Sequence, residues 1–252
     1  MMDMNNGILK VVKSLAAKKY RDDEGLFVAE GTKCVRDTWQ HFNCRWLIAK
    51  RSWYDQCGTA EHYDKIVFAN SQQMARISQF DNPSDVIAVY EKPVDTIDTG
   101  RVAASLNIVL DNIQDPGNLG TIVRLADWYG IRDIFASPTT VDVFNHKVVQ
   151  ATMGAIARVQ VHYVDLEELF DDFPTLPVCG TFLDGDNIYS ATLPERGFVV
   201  FGNEGQGIGA KVGARATQRL LIPKAHDAGS ESLNVGLAAA ITISEFKRQL
   251  FI

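Results

Sequence analysis

The chain has 252 residues, 46% hydrophobic and 22% charged, with a net charge of −6 and a pI near 5.4. That is enough apolar material for one large domain or two ordinary ones, and the acidic balance excludes a protein that coats nucleic acid over its whole surface. No apolar run approaches the ~20 residues that cross a bilayer, the start MMDMNNGILK lacks the order of a secretion signal, and Cys34, Cys44, Cys57 and Cys179 have neither C-x-x-C nor zinc-ligand spacing. A cytoplasmic protein with reduced thiols and no metal is expected.

The methionine-rich first residues read as a disordered lead-in. A basic bias follows: Lys10, Lys13, Lys18, Lys19 and Arg21 stand against Asp3 alone in the first 21 residues. Strand-like runs at 26–29, 45–49, 65–68 and 86–90 then alternate with helical stretches at 32–42 and 71–80, the second with Ser71 as its N-cap. This describes a small α/β domain over 1–92. Residues 93–105 are polar, hold Pro93 and Gly100 and show no helical period, so they read as a linker.

From 106 to 252 the strands become continuous apolar runs at 107–110, 134–136, 178–182, 198–201 and 220–222. Such runs belong to a parallel sheet covered on both faces. Helical stretches at 120–129, 145–153 and 166–170 fall between them, which makes an α/β domain. Ligands of such sheets sit beyond the carboxyl ends of the strands, so the loops there come next.

Three of them carry chemistry. D-N-I-Q-D-P-G-N-L-G-T-I-V-R (111–124) leaves a strand and enters a helix that Asn118 can cap, with Arg124 two turns in. F-G-N-E-G-Q-G-I-G (201–209) packs four glycines around Glu204, which implies tight turns and close approach of a ligand. The third loop, 222–236, offers Ser230, Ser232 and Asn234 as caps for a last helix over 237–250. That helix is apolar on more than one face, a pattern that fits a homodimer. Gly205, Gly207 and Ala210 also satisfy G-x-G-x-x-A, with Asp227 and Glu231 about 20 residues on, so a dinucleotide-binding dehydrogenase is an alternative.

In this order the three loops resemble the motifs of the SpoU (TrmH-like) branch of SPOUT RNA methyltransferases, over residues 106–252. The segment K-K-Y-R…G-L-F-V-A-E-G (18–31) resembles the entry to the ribosomal-protein-L30e-like domain that often precedes that catalytic domain. The resemblance implies an α/β fold with a deep C-terminal trefoil knot, S-adenosylmethionine as methyl donor, a ribose 2′-hydroxyl of ribosomal or transfer RNA as acceptor, and a homodimer. Position by position it implies catalytic roles for Asn118, Arg124, Glu204, Ser232 and Asn234. It implies cofactor contacts for Thr181, Leu183, Gly202, Asn203, Gly207, Ile222, Leu233 and Asn234, and RNA contacts for Lys18, Lys19, Arg21 and Arg124.

The chain departs from the family pattern in its third motif. Lys224 stands where Met is usual, the loop is longer by about two residues, and Gly236 replaces a common Ser. The resemblance also implies for Arg124 the part of the base proposed for the family, yet a guanidinium stays protonated at neutral pH. Phosphate binding and charge stabilisation are therefore the roles expected of it. His226 in the third loop is a weaker candidate base. Methylation at another RNA atom, or RNA binding without catalysis, are the remaining alternatives.

Overall fold

A computed structural model describes residues 2–57, 65–225 and 229–250. In chain order the elements are β1 (Met2–Asp3), α1 (Asn6–Ser14), α2 (Lys18–Glu24), β2 (Leu26–Glu30), α3 (Thr32–Thr38), β3 (Cys44–Ala49), α4 (Arg51–Cys57), β4 (Ile66–Phe68), α5 (Ser71–Ile77), β5 (Val86–Glu91), α6 (Thr99–Ala104), β6 (Leu106–Asp111), α7 (Pro116–Trp128), β7 (Asp133–Ala136), α8 (His146–Ala151), β8 (Gln160–Tyr163), α9 (Leu166–Asp172), β9 (Val178–Asn187), β10 (Gly197–Gly202), α10 (Ala210–Gly213), β11 (Gln218–Leu221) and α11 (Val235–Leu250). They form two compact units. The first holds residues 1–94 together with 142–157, the second 95–141 together with 158–252.

The first unit is built on a mixed five-stranded sheet in the order β1-β4-β3-β5-β2. Its strands are apolar at nearly every position because helices cover both faces; all of β2 is buried. On one face Ile8, Leu9 and Val12 of α1 meet Met74 and Ile77 of α5. Full burial of each such side chain contributes roughly 1.5–3 kcal/mol. The first residues are not a loose lead-in: Met2 and Asp3 pair in parallel with Val67 and Phe68, and Met4 is buried. The cap of α5 is Asn70 rather than Ser71. Its Oδ1 accepts from Gln73 N while Gln73 Oε1 accepts from Asn70 N, a reciprocal box that Ser71 is one position too late to make.

Residues 142–157, read from the sequence as part of the second domain, pack in the first unit instead. Phe144 lies against Phe27 at a centroid distance of 4.7 Å. Asp142 Oδ2 accepts from Arg21 Nε at 2.9 Å and Nη2 at 2.7 Å, and Arg21 Nη1 donates to the carbonyls of Leu15 and Ala16.

The second unit is a six-stranded, wholly parallel sheet in the order β11-β9-β10-β6-β7-β8. Ile108, Val109 and Leu110 are fully buried, as continuous apolar strands in a doubly covered sheet should be. The stretch expected to be a linker holds α6, capped by Asp98, with Val102 fully buried. Six residues are too few to show a period. Asp95, in that stretch, bonds His162 Nδ1, and His162 Nε2 lies 3.0 Å from Asp133, which Arg101 also grips at 2.7 and 2.8 Å. Burial works to raise the Asp133 pKa, but the hydrogen bonds from Arg101 and His162 outweigh it and hold it at about 2. Burial likewise depresses the His162 pKa, and the two carboxylates more than reverse this, so it ends above its ordinary value.

Candidate functional site

β6 and β10 are neighbours in register, ending with Gly202 opposite Asp111. Their loops therefore leave the sheet side by side. Asp111 Oδ2 accepts from Gly209 N at 2.7 Å, and Asn203 Nδ2 donates to Asn112 O at 3.0 Å. Asn203 Oδ1 accepts from Gly205 N and Gln206 N, while its backbone exchanges hydrogen bonds with Gly207. The loop is folded back so tightly that a Cβ on Gly202 would lie 2.2 Å from the Gly207 carbonyl carbon. Gly207 itself has φ 69°, a conformation that favours glycine. This hairpin-like turn, followed by the four-residue α10, does not present the helix that a dinucleotide fingerprint requires.

α7 begins at Pro116, and its cap is Asp115, which accepts from Asn118 N at 2.8 Å. Asn118 is therefore not the cap expected from the sequence. The Asp-Pro pair sets the helix start three residues earlier and leaves the Asn118 side chain free. That amide joins the three loops. Its Nδ2 donates to Glu204 Oε1, and its Oδ1 accepts from Asn234 Nδ2 at 2.9 Å. The orientation is dictated by chemistry, since a carboxylate can only accept. Asn234 in turn caps α11, its Oδ1 accepting from Gly236 N at 3.0 Å and Leu237 N at 3.3 Å. Among the three caps expected in that loop, Asn234 is the one with these bonds. Gly236 is close-packed: an added Cβ would lie 3.3 Å from Thr121 Cγ2 and 3.4 Å from Asn118 Oδ1.

Arg124, two turns along α7, is exposed, and no hydrogen bond or ion pair engages its guanidinium among the described residues. Its five donors are thus unengaged, on the same helix that carries Asn118. Ser232 is exposed in the third loop. Thr181 Oγ1 donates to Val200 O at 3.0 Å, tying β9 to β10 where β9 leaves that pairing. Leu183 and Leu233 are large apolar side chains left 74% and 45% exposed, and Ile222 is half-buried. His226 and Asp227 lie outside the described residues.

The expected RNA-contacting cations divide. Lys18 and Lys19 are exposed on α2, Lys18 beside Asp22 at 3.0 Å. Arg21 is 2% exposed and held by four hydrogen bonds inside the protein, so the sequence-based assignment to RNA is corrected: this guanidinium is closed to phosphate. Asp111, Asn112, Asp115 and Gly209 shape the site without having been singled out. Their signal was their place inside the first two motifs, at positions where turn-forming residues are common.

The chain matches the SpoU rRNA Methylase family over residues 105–244 and the MRM3-like substrate binding domain over residues 6–88. It is 27% identical to the 23S rRNA (guanosine(2553)-2'-O)-methyltransferase RlmP of Bacillus subtilis, over 94% of this chain and 95% of that relative. A TrmH-family structure from Porphyromonas gingivalis is 37% identical, with a TM-score of 0.88 over 98% of this chain and 99% of that one. An AdoMet-bound rRNA methyltransferase from Sinorhizobium meliloti is 26% identical, with a TM-score of 0.85 over 99% of this chain and 97% of that one. The chain belongs to the SpoU rRNA methylase family, the S-adenosylmethionine-dependent RNA methyltransferases.

Proposed function

We propose that this chain methylates a ribose 2′-hydroxyl of ribosomal RNA, with transfer RNA as the second substrate class, in the cytoplasm and as a homodimer. The observation that carries the reading is the hydrogen-bonded chain Glu204–Asn118–Asn234, which draws one residue from each loop together, with an unengaged Arg124 further along the helix of Asn118. The first unit would bind RNA and the second would carry the chemistry.

Residues of β9, of the end of β10 and of the loops after β10 and β11 suit the methyl donor. Leu183, Ile222 and Leu233 offer apolar surface to an adenine, and the backbone of Gly202, Asn203 and Gly207, with the Thr181 hydroxyl nearby, offers polar edges. Bound there, S-adenosylmethionine supplies an electrophilic methyl on a sulfonium sulfur.

The protein's own part is alignment and charge. Asn118, fixed on both sides, orients the acceptor ribose, and Glu204 and Asn234 hold Asn118 in place. Holding reactants in line can supply much of the barrier reduction. Arg124 binds the adjacent phosphate and stabilises negative charge developing on the 2′-oxygen, where a preformed donor is most effective. Ser232 contributes a hydroxyl beside the same ribose. A guanidinium is a poor base, so the proton passes to phosphate or solvent.

Trp128, 84% exposed on α7, and Leu237, 58% exposed on α11, support the homodimer as large apolar side chains left open on two helices that pack together. Sedimentation at micromolar concentration should return twice the 27.9 kDa chain mass, and a single chain mass removes this part of the reading.

The central test is methyl transfer from labelled S-adenosylmethionine to ribosomal RNA fragments, with the modified nucleotide then replaced by its 2′-deoxy form. Label that disappears on replacement supports ribose methylation. Label that persists moves the reaction to another atom, and unlabelled but bound RNA leaves a binding protein.

A further inference from the structure

One end of the first unit's sheet forms a cleft that the methyl-transfer site does not use. β3 and β4 run parallel, with Ala49 in register with Phe68, and β1 sets Asp3 opposite Phe68 on the other side. Beyond these strand ends lies a cavity of about 600 Å³, inside the range of about 300–1,000 Å³ typical of small-ligand sites.

Phe68 is the rigid wall of this cleft. It is 8% exposed, Tyr54 meets its ring edge-on at 5.6 Å, and its carbonyl accepts from Met4 N at 2.9 Å. The Arg51 guanidinium lies over the ring, 3.6 Å from its centroid. One face of the cation is thereby covered while the residue itself stays exposed. Among the described residues Arg51 has no hydrogen bond and no ion pair. The Ser52 and Ser71 hydroxyls at the rim are in the same state, and so is the side-chain amide of Gln73, whose oxygen is occupied in the α5 cap. Asp3 is the carboxylate among the described residues that line the cleft, since the Lys50 partner Asp85 lies outside it.

A planar cation lying over a fixed aromatic, ringed by free donors with one carboxylate, is complementary to a nucleotide. The base extends the stack, phosphate oxygens take the donors, and Asp3 accepts from a base amino group or ribose hydroxyl. A base inside a duplex has no free face to offer, so the nucleotide must be unpaired. Arg51, Ser52, Asn70 and Ser71 are all exposed, so a polymer can enter and leave the cleft, which favours RNA over a free nucleotide.

We propose that the cleft beyond β3 and β4 holds an unpaired nucleotide of the substrate RNA, with its base stacked on the Arg51–Phe68 pair. The inference rests on the RNA-methyltransferase reading and names where the first unit grips its substrate.

The test uses the full chain, wild type and as Arg51→Met and Arg51→Lys, titrated by fluorescence anisotropy into a labelled RNA hairpin with an unpaired loop, a blunt RNA duplex and AMP. Methionine still covers Phe68 but removes plane and donors, while lysine keeps the charge without the plane. Hairpin affinity should fall roughly tenfold in both variants, the order expected for one lost stacked base. Duplex binding and S-adenosylmethionine affinity should not change. Hairpin affinity unchanged in Arg51→Met, with full methylation, overturns this inference alone. An equal loss on hairpin and duplex reduces Arg51 to general charge and also overturns it, as does AMP binding that the hairpin cannot displace. A wild-type chain that neither binds nor methylates RNA removes the functional reading and this inference together.

Discussion

Arg21 in the first unit and Arg124 in the second are both helical arginines, one in a polar helix and one between apolar residues, and their surroundings put them to opposite uses. Arg21 on α2 is enclosed, its donors shared between Asp142 and the carbonyls of Leu15 and Ala16. Arg124 on α7 is exposed, and no hydrogen bond or ion pair engages it among the described residues. A cation neutralised inside the protein serves the fold, whereas one left exposed and unpaired remains available to a ligand. Arg101 falls between them, half-exposed and bound to Asp133.

The largest effect should come from breaking the enclosed pair. Asp142→Ala leaves the Arg21 charge buried without a partner, which costs about 3–5 kcal/mol. Urea unfolding should show that loss, and Arg21→Met combined with Asp142→Leu should recover most of it. A loss under about 1 kcal/mol in the single variant would mean that water reaches Arg21 and that the contrast with Arg124 is false.

Arg124→Ala should behave in the reverse way. Stability and S-adenosylmethionine affinity should hold, while the rate of methyl transfer falls by roughly 10²–10³, the scale for removing one donor from a developing charge. Equal rates in single-turnover assays would assign Arg124 to an ordinary surface.

The smallest effect belongs to the intermediate case. The folded-state pKa of His162 is raised, so its contribution to stability is complete below the unfolded value of about 6.5 and is lost as pH rises through the folded one. Asp133, held at about 2, contributes above its unfolded value near 4 and loses that contribution as pH falls toward 2. Calorimetry should therefore show Tm declining above about pH 6.5 in the wild type and more shallowly in His162→Gln. Parallel profiles would mean that His162 stays neutral between its two carboxylates.

Much of the second unit was legible in the sequence because its physics is local. Buried parallel strands must be apolar throughout, and residues 108–110 and 199–201 are. Motifs placed at their carboxyl ends then locate the site. What escaped was either short or ambiguous. β8 has polar residues because it carries His162 into the charge network, and α1 and α4 are short helices of nine and seven residues that bury only Ile8, Leu9 and Val12, and Trp53 and Tyr54. Phe144, Val148 and Val149 give the same apolar pattern whichever sheet they cover. Arg21 illustrates the general difficulty: its partner is 121 residues away in the chain.

The path of the 142–157 segment also bears on how this protein can be taken apart. The chain passes between the two units three times, at 94–95, 141–142 and 157–158. A protease that nicks the stretch around residue 95 cuts one of three covalent connections, and the C-terminal product still carries α8, the element seated on β2. The two fragments should therefore co-purify until denatured. The same path limits genetic exchange. A recombination that grafts residues 1–94 onto a foreign second half brings in Arg21 without Asp142, so the front unit cannot be traded as a cassette unless its distant α8 segment travels with it.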